Sequence, residues 1–458
     1  MSTQTTAAPS QLPDYLASAT PNPSANRAPW YTNTAPTFAG VFLWFIFWNS
    51  VSSSGLSTGG LWPSIIGIVV AALICHFLFY LAPGLLGMKT GLPLYVVGTS
   101  TFGSLGGLIM PGFLMGALQF GWLGVNSWGS ATFLKESFGG GDGMFYALCV
   151  IWAVGAAFVG LKGIQYVAKV ATFLPIIPLA VLIIGLVLFG GSAFSYKPTA
   201  EPAASGGAMT TILLIVTYIV GFFATAGAAG VDFGTNSRDG DDVKKGGYVG
   251  ILAAIVLTAV ISVLVVAGAR ASGAIDGTVV NMTDALATKL SPGFFKAVMI
   301  GLTLASFPGA CFSSFIAANS FKTVMPKVNP LVSVGIGTIV SIALAVTGYA
   351  GDLPSVFGII GASFGPICGA MTADYLLNGR RWSGPRAGFN PAGWVAWALG
   401  FFVGVMPNLH KVESLANAIP DVPAAPVVAY VVGFVVYAVC FKIGVKTPVL
   451  DMPKRIDA

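Results

Sequence analysis

Residues 37–60 read TFAGVFLWFIFWNSVSSSGLSTGG, and residues 211–234 read TILLIVTYIVGFFATAGAAGVDFG. Each is long enough to cross a bilayer, which needs about 20 apolar residues. Neither reads as an ordinary helix. In the first, a hydroxylated run from Ser50 to Ser54 lies near the middle or outer half. In the second, Thr225, Ala226, Gly227 and Gly230 interrupt the bulky face. Gly-rich, weakened segments at matching places in two halves point to discontinuous helices of an inverted repeat, with a substrate site between them. Close helix packing through small residues is the other reading of the same pattern.

The rest of the chain sets these segments in a membrane. Only 8% of the 458 residues are charged while 55% are hydrophobic, against roughly a quarter charged in soluble domains. That composition excludes a soluble globule, a disordered chain, a disulfide scaffold and a coiled coil. The five cysteines all lie in apolar stretches, and two histidines are too few for a histidine-rich metal centre. Apolar stretches of spanning length fall at about 37–59, 64–86, 104–134, 144–160, 165–191, 209–233, 248–270, 293–318, 331–349, 354–377, 390–408 and 423–443. The expectation is an all-α membrane protein with 12 transmembrane helices.

Residues 1–36, rich in Ser, Thr, Ala and Pro, read as a disordered tail, and 444–458 as a cytoplasmic tail. With the N-terminus inside, sixteen of the 22 Lys and Arg fall on the cytoplasmic side and six opposite. The positive-inside rule then places both termini in the cytoplasm of a multi-pass plasma-membrane protein. The net charge of +6 is thus an orientation signal, with no basic groove for nucleic acid.

No nucleotide-binding P-loop, HExxH or GxSxG stands in the context such motifs need, so an enzyme is not expected. Asp239, Asp241 and Asp242 read as a solvated loop. Polar residues within spans are costly and therefore informative. In LQFGWLGVNSWG, spacings of three, four and seven put Gln119, Trp122 and Asn126 on one helical face. A ring beside two amides suits a flat, hydrogen-bonding solute; an interfacial Trp with helix-joining amides is the alternative. In LASFPGACFSSFIAANSF, Ser306, Ser313, Ser314 and Asn319 accompany Pro308, which frees carbonyls one turn earlier. Adjacent hydroxyls and loosened carbonyls can form an oxygen cage for a monovalent cation, or the serines can bond back to their own helix. Asp232 and Asp374 end their spans, where cap or gate roles are cheaper than a proton relay.

Several of these pieces, in order, resemble the nucleobase–cation symport family, whose members include bacterial cytosine permeases and hydantoin transporters. The resemblance rests on GMKTGLPLYVVGTSTFGSLGG at 87–107, P-x(7)-QFGWLGV at 111–125, FFATAGAAGVDF at 222–233 and ASFGPICGAMTADYLLNGRRW at 362–382. It implies a LeuT-like five-plus-five inverted repeat: 37–191 the first repeat, 209–377 the second, and 390–443 two extra helices. It further implies that Trp122 and Phe223 sandwich a flat substrate. Gln119, Asn126 and Asn319 would then supply amides, and backbone around Thr225 and Ala226 edge contacts. The cation would bind Ala310, Ser313 and Ser314 together with carbonyls near Leu43 to Asn49, best represented by Phe45. Two neutral hydroxyls and three carbonyls favour Na⁺ over H⁺.

Two positions depart from the cytosine permease pattern: Phe315 replaces an amide after the paired hydroxyls, and Pro366 stands alone where a pair is usual. Phe315 allows a bulkier or less polar ring in the substrate site. The expected function is cation-coupled symport of a nucleobase or related heterocycle such as cytosine. A proton-coupled purine, allantoin, hydantoin or thiamine permease is the alternative. A channel lacks its polar lining. No cofactor, nucleic acid or obligatory protein partner is implied; the partners are the heterocycle, the cation and the bilayer.

Overall fold

The computed structural model describes residues 12–171, 173–198, 207–275 and 281–452. Among them, ten helices are long and apolar enough to cross a membrane, and a bent pair makes an eleventh. The described residues form an all-helical bundle. In order, the spans are Thr34–Phe42 with Phe45–Gly59 (span 1), Leu61–Thr90, Leu108–Phe138, Asp142–Lys162, and Ile164–Ala171 followed by Ile176–Ser195 (span 5). Span 6 is Gly207–Ala228, followed by Gly240–Ala271, Pro292–Val324, Pro330–Val346 (span 9), Leu353–Leu377, Pro391–His410 and Ala425–Lys442. Span 9 is a shorter apolar helix and occupies the ninth expected stretch.

Span 1 is interrupted away from its small residues, whereas the interruption in span 6 falls at Ala229, between Gly227 and Gly230 of the small-residue run. Span 1 bends by 51° between Phe42 and Phe45, so the run from Ser50 to Ser54 lies inside a continuous helix. The reason is local: Ser52 and Ser54 donate to the carbonyls of Trp48 and Ser50, spending their hydroxyls within the helix. At the bend, Trp44 is extended (φ −76°, ψ 98°) and the Trp48 indole N–H satisfies the freed carbonyl of Phe42 at 2.5 Å. Span 6 runs unbroken through Thr225, Ala226 and Gly227 and is interrupted at Ala229, before a short turn of helix at Gly230–Gly234. Here Gly227 and Gly230 admit Phe79 and Tyr80 of span 2, each 2.9 Å from where a Cβ would stand. Packing therefore accounts for those two glycines.

Span 10 is the most enclosed helix, with 89% of its apolar window buried. Its Gly365 and Gly369, four apart, lie against the backbone of span 12: a Cβ on Gly369 would stand 2.1 Å from the Tyr430 carbonyl. Small residues at this spacing let helices approach where no hydrophobic force drives them together.

The N-terminal residues from 12 onward are not a loose tail. A strap crosses one end of the bundle. Leu16 is fully buried, and the Tyr15 hydroxyl donates to the Ser104 carbonyl. Burial, with Tyr95 beside it, pushes the Tyr15 phenol well above its ordinary range, so it stays a donor. Asn22 bonds Gly91 and Thr235, Arg27 donates to the Met88 carbonyl at 2.9 Å, and Ala28 bridges to Ser237. Sequence composition missed this because the strap has little apolar surface of its own and is held by backbone groups of the loops it crosses. The C-terminal segment is likewise tied, through an antiparallel bridge of Arg386 with Val449. The remaining tail positions, 1–11 and 453–458, lie outside the described residues.

Candidate functional site

A cavity of about 320 Å³ opens at the strapped end. Span 8 contributes Phe315 and Asn319, span 3 Met115, the loop before span 3 Leu94 and Tyr95, and the end of span 6 Asp232. Met115 lies one helical turn from Gln119 and two from Trp122, and neither of those two lines the cavity. Gln119 is buried, and its amide meets the Met115 sulfur at 3.7 Å. Two of the sequence-predicted residues, Phe315 and Asn319, thus line the cavity directly.

Farther along span 3, rings pack around Trp122. Trp122 meets Phe222 edge-on at 5.1 Å, Phe357 at 5.5 Å and Trp44 at 6.0 Å. Phe222 stacks on Phe47 at 4.1 Å and meets Phe357 at 5.5 Å. Spans 1, 3, 6 and 10 therefore converge on Trp122 and Phe222. The Trp44 indole N–H, at the span 1 bend, is buried without a partner among the described residues.

This arrangement corrects the expectation for Phe223. That ring is fully buried on the other side of span 6, stacked on Phe42 at 5.7 Å and beside Phe38 at 5.8 Å. One residue is about 100° of helix, so the neighbouring Phe222 faces Trp122 and Phe223 cannot. Thr225 is buried within the same helix, and its carbonyl already accepts from Ala229 N–H at 2.9 Å; Ala226 is half-buried beside it.

Asn126 is a second correction. Its amide donates to the Ser306 carbonyl at 3.1 Å and accepts from the Trp152 indole at 3.0 Å, joining spans 3, 8 and 4. Ser130 and Ser306 add a hydroxyl pair at 2.8 Å. The amide is a helix-joining group, which the sequence could not separate from a ligand because both uses need a polar residue on the inward face. Asn126→Ala is expected to cost about 1–3 kcal/mol of stability by stranding the Trp152 donor. Thermal melting of the solubilised protein checks this, with substrate affinity of the folded fraction unchanged.

The four positions expected at the cation site are divided. Ser313 and Ser314 donate to Gly309 and Ala310 of their own helix at 3.1 and 3.4 Å. Ala310 packs with Leu123 and Ala156, and Ser314 lies against Gly160 of span 4. Phe45, whose backbone carbonyl is the group expected to contribute, has its ring beside Phe133 of span 3 at 6.3 Å. Back-bonding is the cheapest partner for a hydroxyl in apolar surroundings, and it is the arrangement in this conformer.

Sequence reasoning gave Asp232 a cap or gate role at its span end without placing it on the cavity. Its carboxylate lines the cavity, with one oxygen accepting from Leu94 N–H at 2.8 Å. Its place at a span end suggested a cap, and that bond fits; its opening into the cavity depends on how spans 3, 6 and 8 meet. Phe357 carried no local signal, because its partners come from helices remote in sequence.

A bundle of membrane-length helices with a bent first span and a cavity opening between spans 3, 6 and 8 is the setting of a membrane transporter. The family described as "Permease for cytosine/purines, uracil, thiamine, allantoin" matches residues 21–433. The chain belongs to this permease family, a transporter and not an enzyme family. The cytosine permease of Escherichia coli (strain K12) is 25% identical over 320 residues, covering 69% of this chain and 70% of that one. Two structures of Mhp1, described as a nucleobase-cation-symport-1 family transporter, share the fold at 18% identity. The closed form with bromovinylhydantoin bound has a TM-score of 0.62, covering 93% of this chain and 94% of that one. The inward-facing form has a TM-score of 0.65, covering 96% and 95%.

Proposed function

We propose that the chain is a cation-coupled symporter, Na⁺ favoured, that carries a nucleobase or related heterocycle such as cytosine into the cell. The observation that supports this is the cavity lined by Phe315, Asn319 and Met115, with Gln119 and Trp122 one and two turns farther along span 3. In this reading both termini are cytoplasmic, so the strapped end faces the cytoplasm and the conformer is open inward. The ring cluster is then the closed outer path. Trp122 and Phe222 part to admit the flat ring between them, while Gln119, Asn319 and the unpartnered Trp44 N–H read its edge. The cation holds the span 1 bend against Ala310, Ser313 and Ser314 in the outward-open state and leaves when they separate. By linkage, substrate and cation raise each other's affinity equally.

Asp232 favours a second reading, proton coupling of a purine, allantoin, hydantoin or thiamine permease of the same fold. A carboxylate open to the substrate path is a group that can carry the coupled proton. The two readings separate in proteoliposomes by uptake of radiolabelled cytosine, uracil, adenine, hypoxanthine, allantoin and hydantoins. Under the first, an inward Na⁺ gradient drives uptake, and Ser313→Ala with Ser314→Ala removes the Na⁺ stimulation while leaving exchange intact. Under the second, a pH gradient drives uptake without Na⁺, and Asp232→Asn abolishes that drive. Absence of saturable uptake for every heterocycle would overturn both.

A further inference from the structure

A second concavity, a groove of about 760 Å³, faces outward between the strapped-end halves of spans 2, 10 and 12. It takes no part in the substrate path. Its wall is apolar: Phe77, Leu81 and Leu85 along span 2, Leu376 of span 10, and Val431 and Phe434 of span 12. Phe77 and Val431 are each 48% exposed and Leu376 46%, so the surrounding bundle leaves this wall uncovered. At one end the character changes, and Lys89, Lys244 and Arg380 complete the lining.

The three cations come from different elements: the end of span 2, the start of span 7 and the turn after span 10. Lys89 Nζ donates to the Arg380 carbonyl at 2.7 Å and the Tyr375 hydroxyl at 3.2 Å, which holds the ammonium at the rim. Among the described residues, the ion pairs engage neither Lys89 nor Arg380, and Lys244 meets Asp241 in an exposed pair. Arg380 is held at φ 61°, a left-handed conformation uncommon for a residue with a Cβ. The rim therefore carries excess positive charge.

We propose that this groove is a binding site for an anionic diacyl phospholipid. The phosphate sits between Lys89, Lys244 and Arg380, and an acyl chain lies along Phe77, Leu81 and Leu85. Charge complementarity selects the headgroup, as basic pockets between spans do. The length also fits. Phe77 to Lys89 is about 18 Å at ~1.5 Å per residue, and one leaflet of hydrocarbon is about 15 Å, half of the ~30 Å core. The site lies where lipid is the solvent, so an acyl chain is the apolar occupant present at high concentration.

Native mass spectrometry of the full, detergent-purified chain tests this with phosphatidylglycerol and phosphatidylcholine of identical acyl chains, and with inorganic phosphate alone. Phosphatidylglycerol should be retained at tenfold or more lower concentration than phosphatidylcholine, and phosphate alone should not bind; the variant Lys244→Gln/Arg380→Gln should weaken phosphatidylglycerol retention roughly 30-fold while leaving phosphatidylcholine unchanged. Leu81→Trp, which fills the groove, should reduce both lipids. Equal retention of the two lipids by the unmodified chain would overturn the proposal, as would undiminished phosphatidylglycerol binding by the double variant. Dimers in place of lipid adducts would also overturn it, giving the groove to a second copy.

Discussion

Trp122→Ala is expected to lower heterocycle affinity by roughly five- to 150-fold, equivalent to about 1–3 kcal/mol of base–aromatic stacking. The loss should fall on binding more than on folding. Trp122 is half-buried, and its ring meets others only at 5.1–6.0 Å. Trp122→Phe should restore most of the affinity, since a flat face remains. The companion change is Phe223→Ala, at a ring with 0% exposure packed on Phe42 and Phe38. Removing it should cost about 3–5 kcal/mol of stability and leave the Kd of the folded fraction unchanged. Calorimetric titration beside thermal melting reads both quantities. Full affinity in Trp122→Ala would remove the stacking site. Unchanged melting with lost binding in Phe223→Ala would return the partner role to Phe223 and take it from Phe222.

That pair of expectations also marks where the sequence stopped being informative. Composition and spacing were enough for ten helices of spanning length and the bent pair of span 1, because lipid demands about 20 apolar residues wherever the chain crosses. The face carrying Gln119 and Trp122 was legible because helical spacing is local. Phe222 against Phe223 was not legible, since two adjacent phenylalanines differ only in what the neighbouring helices present to them. The span 1 bend shows the same limit. Serines advertise a weak helix, yet Ser52 and Ser54 satisfy themselves on their own helix, while the bend falls at Leu43 and Trp44 among bulky residues. Asn126 was visible as a polar inward residue, but its partners Trp152 and Ser306 lie on two other spans. What the sequence withheld throughout was tertiary pairing.

Asp374→Ala is expected to lose about 3–5 kcal/mol of stability, because it leaves a buried charge without its counter-charge. Asp374 and Arg386 have side chains only 3% and 4% exposed, with Arg386 Nη2 at 3.8 Å from the carboxylate. The carboxylate also accepts from the hydroxyls of Ser100 and Tyr437, each at 2.6 Å, and from Asn378 at 2.8 Å. Arg386 in turn donates to the carbonyls of Ser100 and Thr447 at 2.9 and 3.0 Å. One buried carboxylate thus joins the loop before span 3, the end of span 10, span 12 and the C-terminal segment, at the same end as the cavity. Asp374→Asn keeps an acceptor and should lose less than the alanine variant. Removing both charges in Asp374→Leu/Arg386→Met should recover part of the loss, since apolar replacement of a whole buried pair is often neutral. Thermal melting of the solubilised variants orders the three. A double variant no more stable than Asp374→Ala would deny that the stranded guanidinium causes the loss. Lost transport at unchanged melting would instead place Asp374 in the transport cycle, since a purely structural lock cannot separate the two readouts.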